Sequence, residues 1–369
     1  MGGTDSSGKG AVLETGRASA AQHFRAALAR RARSIISLNP RVDTTTDFAH
    51  AVADGLAAPV RRIPSRFLYD DVGSALYEMI CEVPEYYLTR TETALLARHA
   101  RDLRARTGPA NIVELGAGSS QKAGLLLGAA LQTGHSPQYI AIDVCQHALQ
   151  RGQEELARTY PTVASVGLHG RFEDAVTILS AASPVLVLFL GSTVGNCSEV
   201  EAASLLDELS RQLSPGDFFL LGLDLVKDAR LLHAAYNDAT GITAAFTRNL
   251  FVRMNRELGA GVHVEAVEHE ATWIPDRQHI EICARFGHRQ DIHVAPLGLS
   301  FAIERGERIQ TEISRKYRLE SIPGWLGRFG FVVEEIYRDE RDWYALILLR
   351  KSPDRGERPV TYSHLKGTA

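Results

Sequence analysis

The sequence predicts an α/β protein: a doubly wound, mostly parallel sheet with a second, smaller α+β substructure. Three observations carry this. Short, wholly apolar runs alternate with amphipathic segments of helical spacing, the mark of strands buried on both faces. A glycine-rich turn follows the first of these runs, and an aspartate ends the second. From about residue 226 to 314 the rhythm changes to a long helical stretch and alternating half-polar runs, so a second unit is inserted there.

Taken in order, residues 1 to about 20 are Gly, Ser, Thr and Ala with scattered charge, which predicts an unfolded lead segment. A helical pattern runs over 20–36, with Phe24, Leu28 and Ile35 near one face. Residues 92–106 form an amphipathic helix with Leu95, Leu96, His99 and Leu103 on one side. The strand Asn111–Leu115 runs into Gly116-Ala117-Gly118-Ser119-Ser120 and then a helix through 125–131. A second strand, 139–142, ends at Asp143 and leads to a helix over Gln146–Thr159. Residues 184–190 are a buried strand, 202–213 a helix broken by Gly216, and 218–225 another buried strand. The inserted unit opens with helix over 229–258, interrupted by Gly241. Strands follow at 262–267, 271–274 and His279–Phe286. A final buried strand spans 343–349, and the tail after Lys351 mixes Pro, Gly and charge as a loosely held extension.

Composition excludes several classes. The 369 residues are 45% hydrophobic and 23% charged, ample for a buried core. Lys+Arg 41 against Asp+Glu 44 leaves a charge of -3, so no basic field points to nucleic acid. The apolar runs fall short of the roughly 18–20 residues of a membrane helix, and the polar N-terminus lacks the apolar core of a secretory signal. Cys81, Cys145, Cys197 and Cys283 are widely spaced with no CxxC pair, which argues against a disulfide scaffold and a structural zinc. Glu268-His269-Glu270 and His279-Ile280-Glu281 have strand spacing for metal ligands but no third donor, and read as solvated or satisfied histidines. The expectation is a cytoplasmic enzyme without a metal.

The turn carries the chemistry. Glu114 precedes Gly116 and Gly118, whose missing side chains allow a tight bend and close approach of a ligand to the backbone. A dinucleotide fingerprint would place a third glycine at 121, where this chain has Gln121. That weakens a nicotinamide dehydrogenase and favours a ligand without a pyrophosphate. Asp143, at the next strand end, can take both hydroxyls of a ribose. The combination is the one expected for S-adenosylmethionine. The bland alternative is a glycine turn in an unrelated α/β fold, with Asp143 as a helix cap.

Longer strings carry a resemblance: Arg66-Phe-Leu-Tyr-Asp-Asp-Val-Gly-Ser74, Pro84-Glu-Tyr-Tyr-Leu-Thr-Arg-Thr-Glu92, Gly191-Ser-Thr-Val-Gly-Asn196, Asp224-Leu-Val-Lys-Asp228, Thr243-Ala-Ala-Phe-Thr-Arg-Asn249, Asn255-Arg-Glu-Leu258 and Thr311-Glu-Ile-Ser-Arg-Lys316. From about Arg62 to Lys351 the chain resembles the histidine-specific, S-adenosylmethionine-dependent methyltransferases that make the betaine of histidine for ergothioneine biosynthesis. The resemblance implies a Rossmann-like class I methyltransferase core over 91–226 and 317–351. It implies a substrate-binding domain from 36–90 and 227–316, an N-terminal extension over 1–35 and a tail over 352–369. It implies S-adenosylmethionine as cofactor, S-adenosylhomocysteine as its product, an amino acid as the small-molecule partner, and a monomer without nucleic-acid or membrane partners.

By the same resemblance Gly116, Lys122, Asp143 and Phe172 lie against the cofactor, together with Glu114 and Gly118 of the turn and Arg171 beside Phe172. Asn196 and Tyr236 hold the substrate carboxylate, and Tyr86 lines the pocket. Glu312 and Ser314 read the imidazole, with Ile282 facing it. Tyr69, Tyr77, Gly191 and Thr193 surround the amine. An amide and a phenol suit a carboxylate, and a Glu and Ser two apart on a strand share a face. Three departures stand out. Arg171 replaces the family's usual Asp, Ile282 replaces a Met, and Tyr77 replaces a Phe. They keep open another amino acid or amine, such as tryptophan or one with a cationic side chain, and a non-catalytic paralogue that binds amino acid or cofactor. The plain readings also stay open: Asn196 as a left-handed turn residue, and Glu312 paired with Arg315 or Lys316. Cys197 has no histidine partner, and Lys227 and Asp228 read as the start of the insertion.

Overall fold

The computed structural model describes residues 7–38 and 44–353. In chain order its strands are β1 (Ser34–Ser37), β2 (Asn111–Leu115), β3 (Tyr139–Asp143), β4 (Ser165–His169), β5 (Val185–Phe189) and β6 (Phe218–Asp224). Then come β7 (Val267–Ile274), β8 (His279–Phe286), β9 (Gln290–Val294), β10 (Leu299–Ile303), β11 (Arg308–Arg315), β12 (Phe331–Arg338) and β13 (Tyr344–Lys351). Eight of them form one sheet in the order β1-β4-β3-β2-β5-β6-β13-β12. Its pairings are parallel except those of β13, which runs antiparallel to β6 and to β12.

The apolar runs are explained by burial on both faces. Ile112, Leu186, Leu188 and Leu346 point into one core with Leu96, Leu103 and Leu126 of the helices Tyr87–Thr107 and Gln121–Gln132. Their sequence neighbours Val113, Val187, Phe189 and Ile347 point into the other, with Phe24 and Leu206. With a period of two and two apolar faces, no polar residue is required anywhere along the strand.

From β2 the chain steps outward through β3 and β4, then returns to place β5 on the other side of β2. This reversal opens a crevice at the carboxyl ends of the strands, which is where ligands bind in such sheets. Over it lies the second unit: the antiparallel sheet β11-β8-β7, the hairpin β9–β10, and helices including Asp71–Glu82, Ala229–Tyr236 and Ile242–Leu258.

Several expectations change. The first helix spans Ser7–Arg30, so much of the lead segment expected to be unfolded is helical, and Ser34–Ser37 is the edge strand of the main sheet rather than helix. Residues 1–6 and 354–369 lie outside the described residues, and with them nearly all of the expected tail. The helical stretch 229–258 is two helices. Gly241, at φ +75°, starts the second, and Asp238 accepts from the Ile242 and Thr243 N–H groups at 2.9 and 2.8 Å. The strand expected at 262–267 is a single turn, Val264–Ala266, leading into β7. No helix among the described residues is long and apolar enough to cross a membrane.

Candidate active site

A cavity of about 1130 Å³ occupies the crevice, walled by the ends of β2, β3 and β5 on one side and by helix Asp71–Glu82 and β11 on the other. It is lined by Tyr69, Tyr77, Glu114, Gly116, Gly118, Lys122, Asp143, Arg171, Phe172, Gly191, Thr193, Asn196 and Glu312. Of the residues singled out in the sequence, Tyr86, Tyr236, Ile282 and Ser314 stand behind this lining rather than on it.

At the β2 end, Gly116 and Gly118 have φ of +75° and +48°. A Cβ on Gly116 would point at the Phe172 ring, 3.5 Å from Cζ, so the glycine leaves that aromatic face accessible. The Gly118 and Cys145 N–H groups donate to the two oxygens of Asp143 at 3.0 and 2.9 Å. Burial raises the Asp143 pKa above its ordinary value, and these backbone donors hold it back. Glu114 accepts from the Tyr139 hydroxyl at 2.5 Å, and burial lifts its pKa to about 7. Phe172 is wedged edge-on against Phe189, 5.4 Å between centroids. Arg171 caps the short helix Phe172–Val176 and is 46% exposed, with Nε 3.4 Å from Asp174. Open glycine backbone, a carboxylate at a strand end, an aromatic face and a lysine together fit S-adenosylmethionine.

Lys122 leads to a residue that sequence reasoning missed. Its ammonium donates to the fully buried Glu92 at 2.5 Å. Glu92 also accepts from the Gly191 N–H and the Tyr344 hydroxyl. A signal existed, because Leu88, Glu92, Leu95 and Leu96 share the buried face of helix Tyr87–Thr107. A carboxylate on that stripe needs partners.

The opposite wall is aromatic. Tyr69 meets Tyr77 and Phe246 at 5.6 and 5.4 Å between centroids, and Tyr77 meets Tyr86 at 6.5 Å. Burial pushes the phenols of all three tyrosines far up, so they stay neutral. Asp70 fixes Tyr69. It caps helix Asp71–Glu82 through the Gly73 N–H at 2.8 Å and accepts from Asn249 and Arg256 at 2.7 and 2.8 Å. Gly191 turns at φ +72°, and the Tyr77 hydroxyl is 3.9 Å from where its Cβ would stand. The Thr193 hydroxyl donates to the Leu190 carbonyl at 2.7 Å.

The floor joins the two units. The turn Thr193–Asn196 packs so closely on β11 that a Cβ on Gly195 would sit 2.9 Å from the Arg315 carbonyl oxygen. Asn196 Nδ2 therefore reaches Glu312 Oε1, at 2.8 Å. Burial lifts Glu312 to about pKa 7, while the Lys316 charge pulls it down. Ile282 is the register partner of Glu312 across β8 and β11, with a bulge just before it, and its side chain packs in the core. Behind this floor the Tyr236 hydroxyl bonds Ser314 Oγ at 2.7 Å. Fully buried Lys316 donates to both, at 2.7 and 2.8 Å, and to Asp224 at 2.8 Å. Asp224 also accepts from Tyr87 and Lys227. Burial alone would raise the Asp224 pKa, but the two lysines hold it below the ordinary value.

His269 is held between the Thr247 hydroxyl and the Tyr236 carbonyl, 2.8 Å from each. No group of three metal-ligating side chains occurs among the described residues. Burial pushes the Cys197 thiol up to about 12, which leaves it un-ionised.

Known proteins are similar to this chain in sequence along most of its length. It is 38% identical to the histidine N-alpha-methyltransferase of Mycolicibacterium smegmatis over 297 residues, 80% of this chain and 92% of that one. Against the histidine N-alpha-methyltransferase of Mycobacterium tuberculosis it is 35% identical over 300 residues, 81% and 94% of the two chains. An L-tryptophan methyltransferase of Psilocybe serbica is 26% identical over 349 residues, 84% and 94% of the two chains. Residues 48–351 match the pattern of the histidine-specific, SAM-dependent methyltransferases, and the chain belongs to that family.

Proposed function

We propose that this chain transfers methyl groups from S-adenosylmethionine to the α-amino group of histidine, repeatedly, up to a quaternary ammonium. The observation that carries the reading is the Asn196–Glu312 pair on the floor of the same cavity that holds the glycine turn and Asp143. In this reading the core over 91–226 and 317–351 holds the cofactor, and the segments 36–90 and 227–316 present the amino acid to it.

When bound, S-adenosylmethionine supplies an electrophilic methyl group on a sulfonium. Gly116 and Gly118 offer open backbone, Asp143 takes the ribose hydroxyls, and Phe172 packs on the adenine with Arg171 at its rim. Glu114 braces the turn from beneath through Tyr139. On the amino-acid side, Asn196 donates to the carboxylate and Glu312 accepts from an imidazole N–H. Tyr236 and Ser314 back this floor from behind its lining. Lys316 has three donors, all in use, and one hydroxyl must donate to the other, so the pair keeps one proton beyond its own bond. Tyr86 and Ile282 set the width of the pocket from behind.

Displacement needs a deprotonated amine aligned with the methyl–sulfur bond, and fixed geometry supplies most of the rate. Thr193 and Gly191 bound the space where that amine sits. As methyl groups accumulate, nitrogen becomes a fixed cation. The faces of Tyr69 and Tyr77 stabilise it by about 0.5–2 kcal/mol each.

Mass spectrometry of purified protein with S-adenosylmethionine and a panel of amino acids and amines tests the reading. Histidine carrying up to three added methyl groups is the expected product. Methylation of another member, with histidine untouched, overturns the substrate and points to Ile282 and Tyr77 as the residues that moved specificity. Substrate binding without any methyl transfer overturns the catalytic reading itself.

A further inference from the structure

We propose that Glu92 is the positioning residue of the transfer site: its carboxylate clamps Lys122 to the Gly191 turn and cancels the lysine's charge beside the sulfonium. The proposal rests on the reading of Lys122 as a cofactor contact.

Glu92 is saturated. Oε1 accepts from the Gly191 N–H at 2.8 Å and the Tyr344 hydroxyl at 2.6 Å, and Oε2 from Lys122 at 2.5 Å and the Gly191 N–H at 2.9 Å. The donors come from three places far apart in sequence: the helix after the glycine turn, the turn after β5, and β13. A side chain needed only for packing in this apolar stripe would be a leucine, as at its neighbours Leu88, Leu95 and Leu96. The fold also clears room for the carboxylate. A Cβ on Gly222 of β6 would stand 2.1 Å from Glu92 Oε1 and 2.8 Å from the Tyr344 hydroxyl. Gly222 does not have a positive φ, so space and not backbone conformation calls for glycine there.

The clamp has an electrostatic purpose. Lys122 lines the cavity with Nζ 3.7 Å from the place a Gly191 Cβ would take. One of its N–H groups serves Glu92, which leaves two for an anionic group in the cavity. Methyl transfer breaks a carbon–sulfur bond and forms a carbon–nitrogen bond, and the positive charge passes from sulfur to nitrogen. An uncompensated lysine cation on the cavity wall would disfavour both ends of that step, whereas the Glu92–Lys122 pair is neutral. Burial lowers the lysine's proton affinity, but Glu92 outweighs this and leaves its pKa above the ordinary value. The other titratable groups facing the ammonium are Cys81 of helix Asp71–Glu82 and Glu114 of β2. Tyr77 and Tyr344 approach the same place as neutral phenols.

The test is calorimetric titration of S-adenosylmethionine, and of S-adenosylhomocysteine, which lacks the sulfonium charge, into wild type, Glu92→Gln, Lys122→Met and the double variant, at about pH 7 and about pH 9. This titration needs no amino acid, so its failure is distinct from a failure of the histidine reading. Glu92→Gln keeps an acceptor and loses the charge. It is expected to bind S-adenosylmethionine about tenfold more weakly near pH 7 with a smaller loss for S-adenosylhomocysteine, and the gap between the two ligands is expected to narrow near pH 9, where its lysine loses the proton. Wild type is expected to bind each ligand alike at both pH values. In the cycle the double variant is expected to bind no worse than Lys122→Met, because Glu92 acts through the lysine. Wild-type affinity in Glu92→Gln, or losses that multiply in the double variant, would overturn the proposal. If Glu92→Gln does not fold, the double variant, which has no unpaired charge, is compared with Lys122→Met alone. Equal affinity then supports the clamp, and a further loss refutes it.

Discussion

Asn196 donates its side-chain amide to Glu312 Oε1 at 2.8 Å, tying the turn after β5 to β11 across 116 residues of chain. The bond fixes the rotamers of both side chains. It leaves Asn196 one N–H to donate and Glu312 one oxygen to accept, the complement of an amino acid with a carboxylate and an N–H-bearing side chain.

Replacing Asn196 by Ala removes that donor and frees Glu312. The KM for the amino acid should rise at least about tenfold, the loss of one hydrogen bond to a charged group. Affinity for S-adenosylhomocysteine should stay within about twofold, since Gly116, Gly118 and Asp143 are untouched. Asp143→Ala should do the reverse. Steady-state kinetics paired with calorimetry check the partition, and equal effects on both ligands would show it to be wrong.

Glu312 gives a pH signature. Its folded-state pKa of about 7 stands above that of an exposed glutamate, so the neutral form is the one the fold favours. That contribution to stability is present at low pH and is lost as pH rises through about 7. Glu312→Gln should therefore be more stable than wild type above about pH 7, and the difference should shrink toward acid pH. Glu114 titrates in the same range in both proteins and drops out of the difference. Urea unfolding across pH measures this. In parallel, histidine affinity should rise through about pH 7 in wild type and lose that step in the variant.

Gly195→Ala forces a methyl group against the Arg315 backbone, 2.9 Å from its carbonyl oxygen and 3.1 Å from its nitrogen. Backbone cannot rotate away as a side chain can, so β11 must shift and carry Glu312 with it. The expected destabilisation is about 1–3 kcal/mol, read from the urea midpoint. Amino-acid KM should rise with little change in cofactor affinity.

Lys316→Met leaves Tyr236 and Ser314 bonded only to each other, and Asp224 with Lys227 and Tyr87 as its remaining partners. Breaking a buried pair costs about 3–5 kcal/mol, and the low end applies because Lys227 still faces Asp224. Chemical denaturation checks the magnitude. Stability unchanged from wild type would mean the network contributes little.

Fold and site were legible in the sequence to different depths. The strands β2, β3, β5, β6 and β13 announce themselves as apolar runs, whereas β1 and β4 do not. Ser34–Ser37 is four residues long and continues a helical pattern, and Ser165–His169 contains a glycine and ends in a histidine. Pairing makes them strands: β4 lies parallel to β3, and β1 parallel to β4 with Ile35 beside Gly167. Glu92 shows the same limit from the side of the site. Helical spacing places it on the buried face, but nothing local says that Lys122, Gly191 and Tyr344 will converge on it.

Features local to a turn or a strand can be read along the chain alone: Gly116 and Gly118 at the turn, Asp143 closing the next strand, Glu312 and Ser314 on one strand, and the family strings around them. These follow from φ preferences, period-two alternation and chain proximity. The tertiary structure decided which distant groups became partners: Asn196 with Glu312, Tyr236 with Ser314 and Lys316, and Glu92 with Lys122 and Gly191. It also placed Tyr236, Ser314 and Ile282 behind the cavity lining. The physical reason is that periodicity tells which face a side chain occupies. Strand order, register and helix packing, set by burial of two cores at once, tell what waits on the other side.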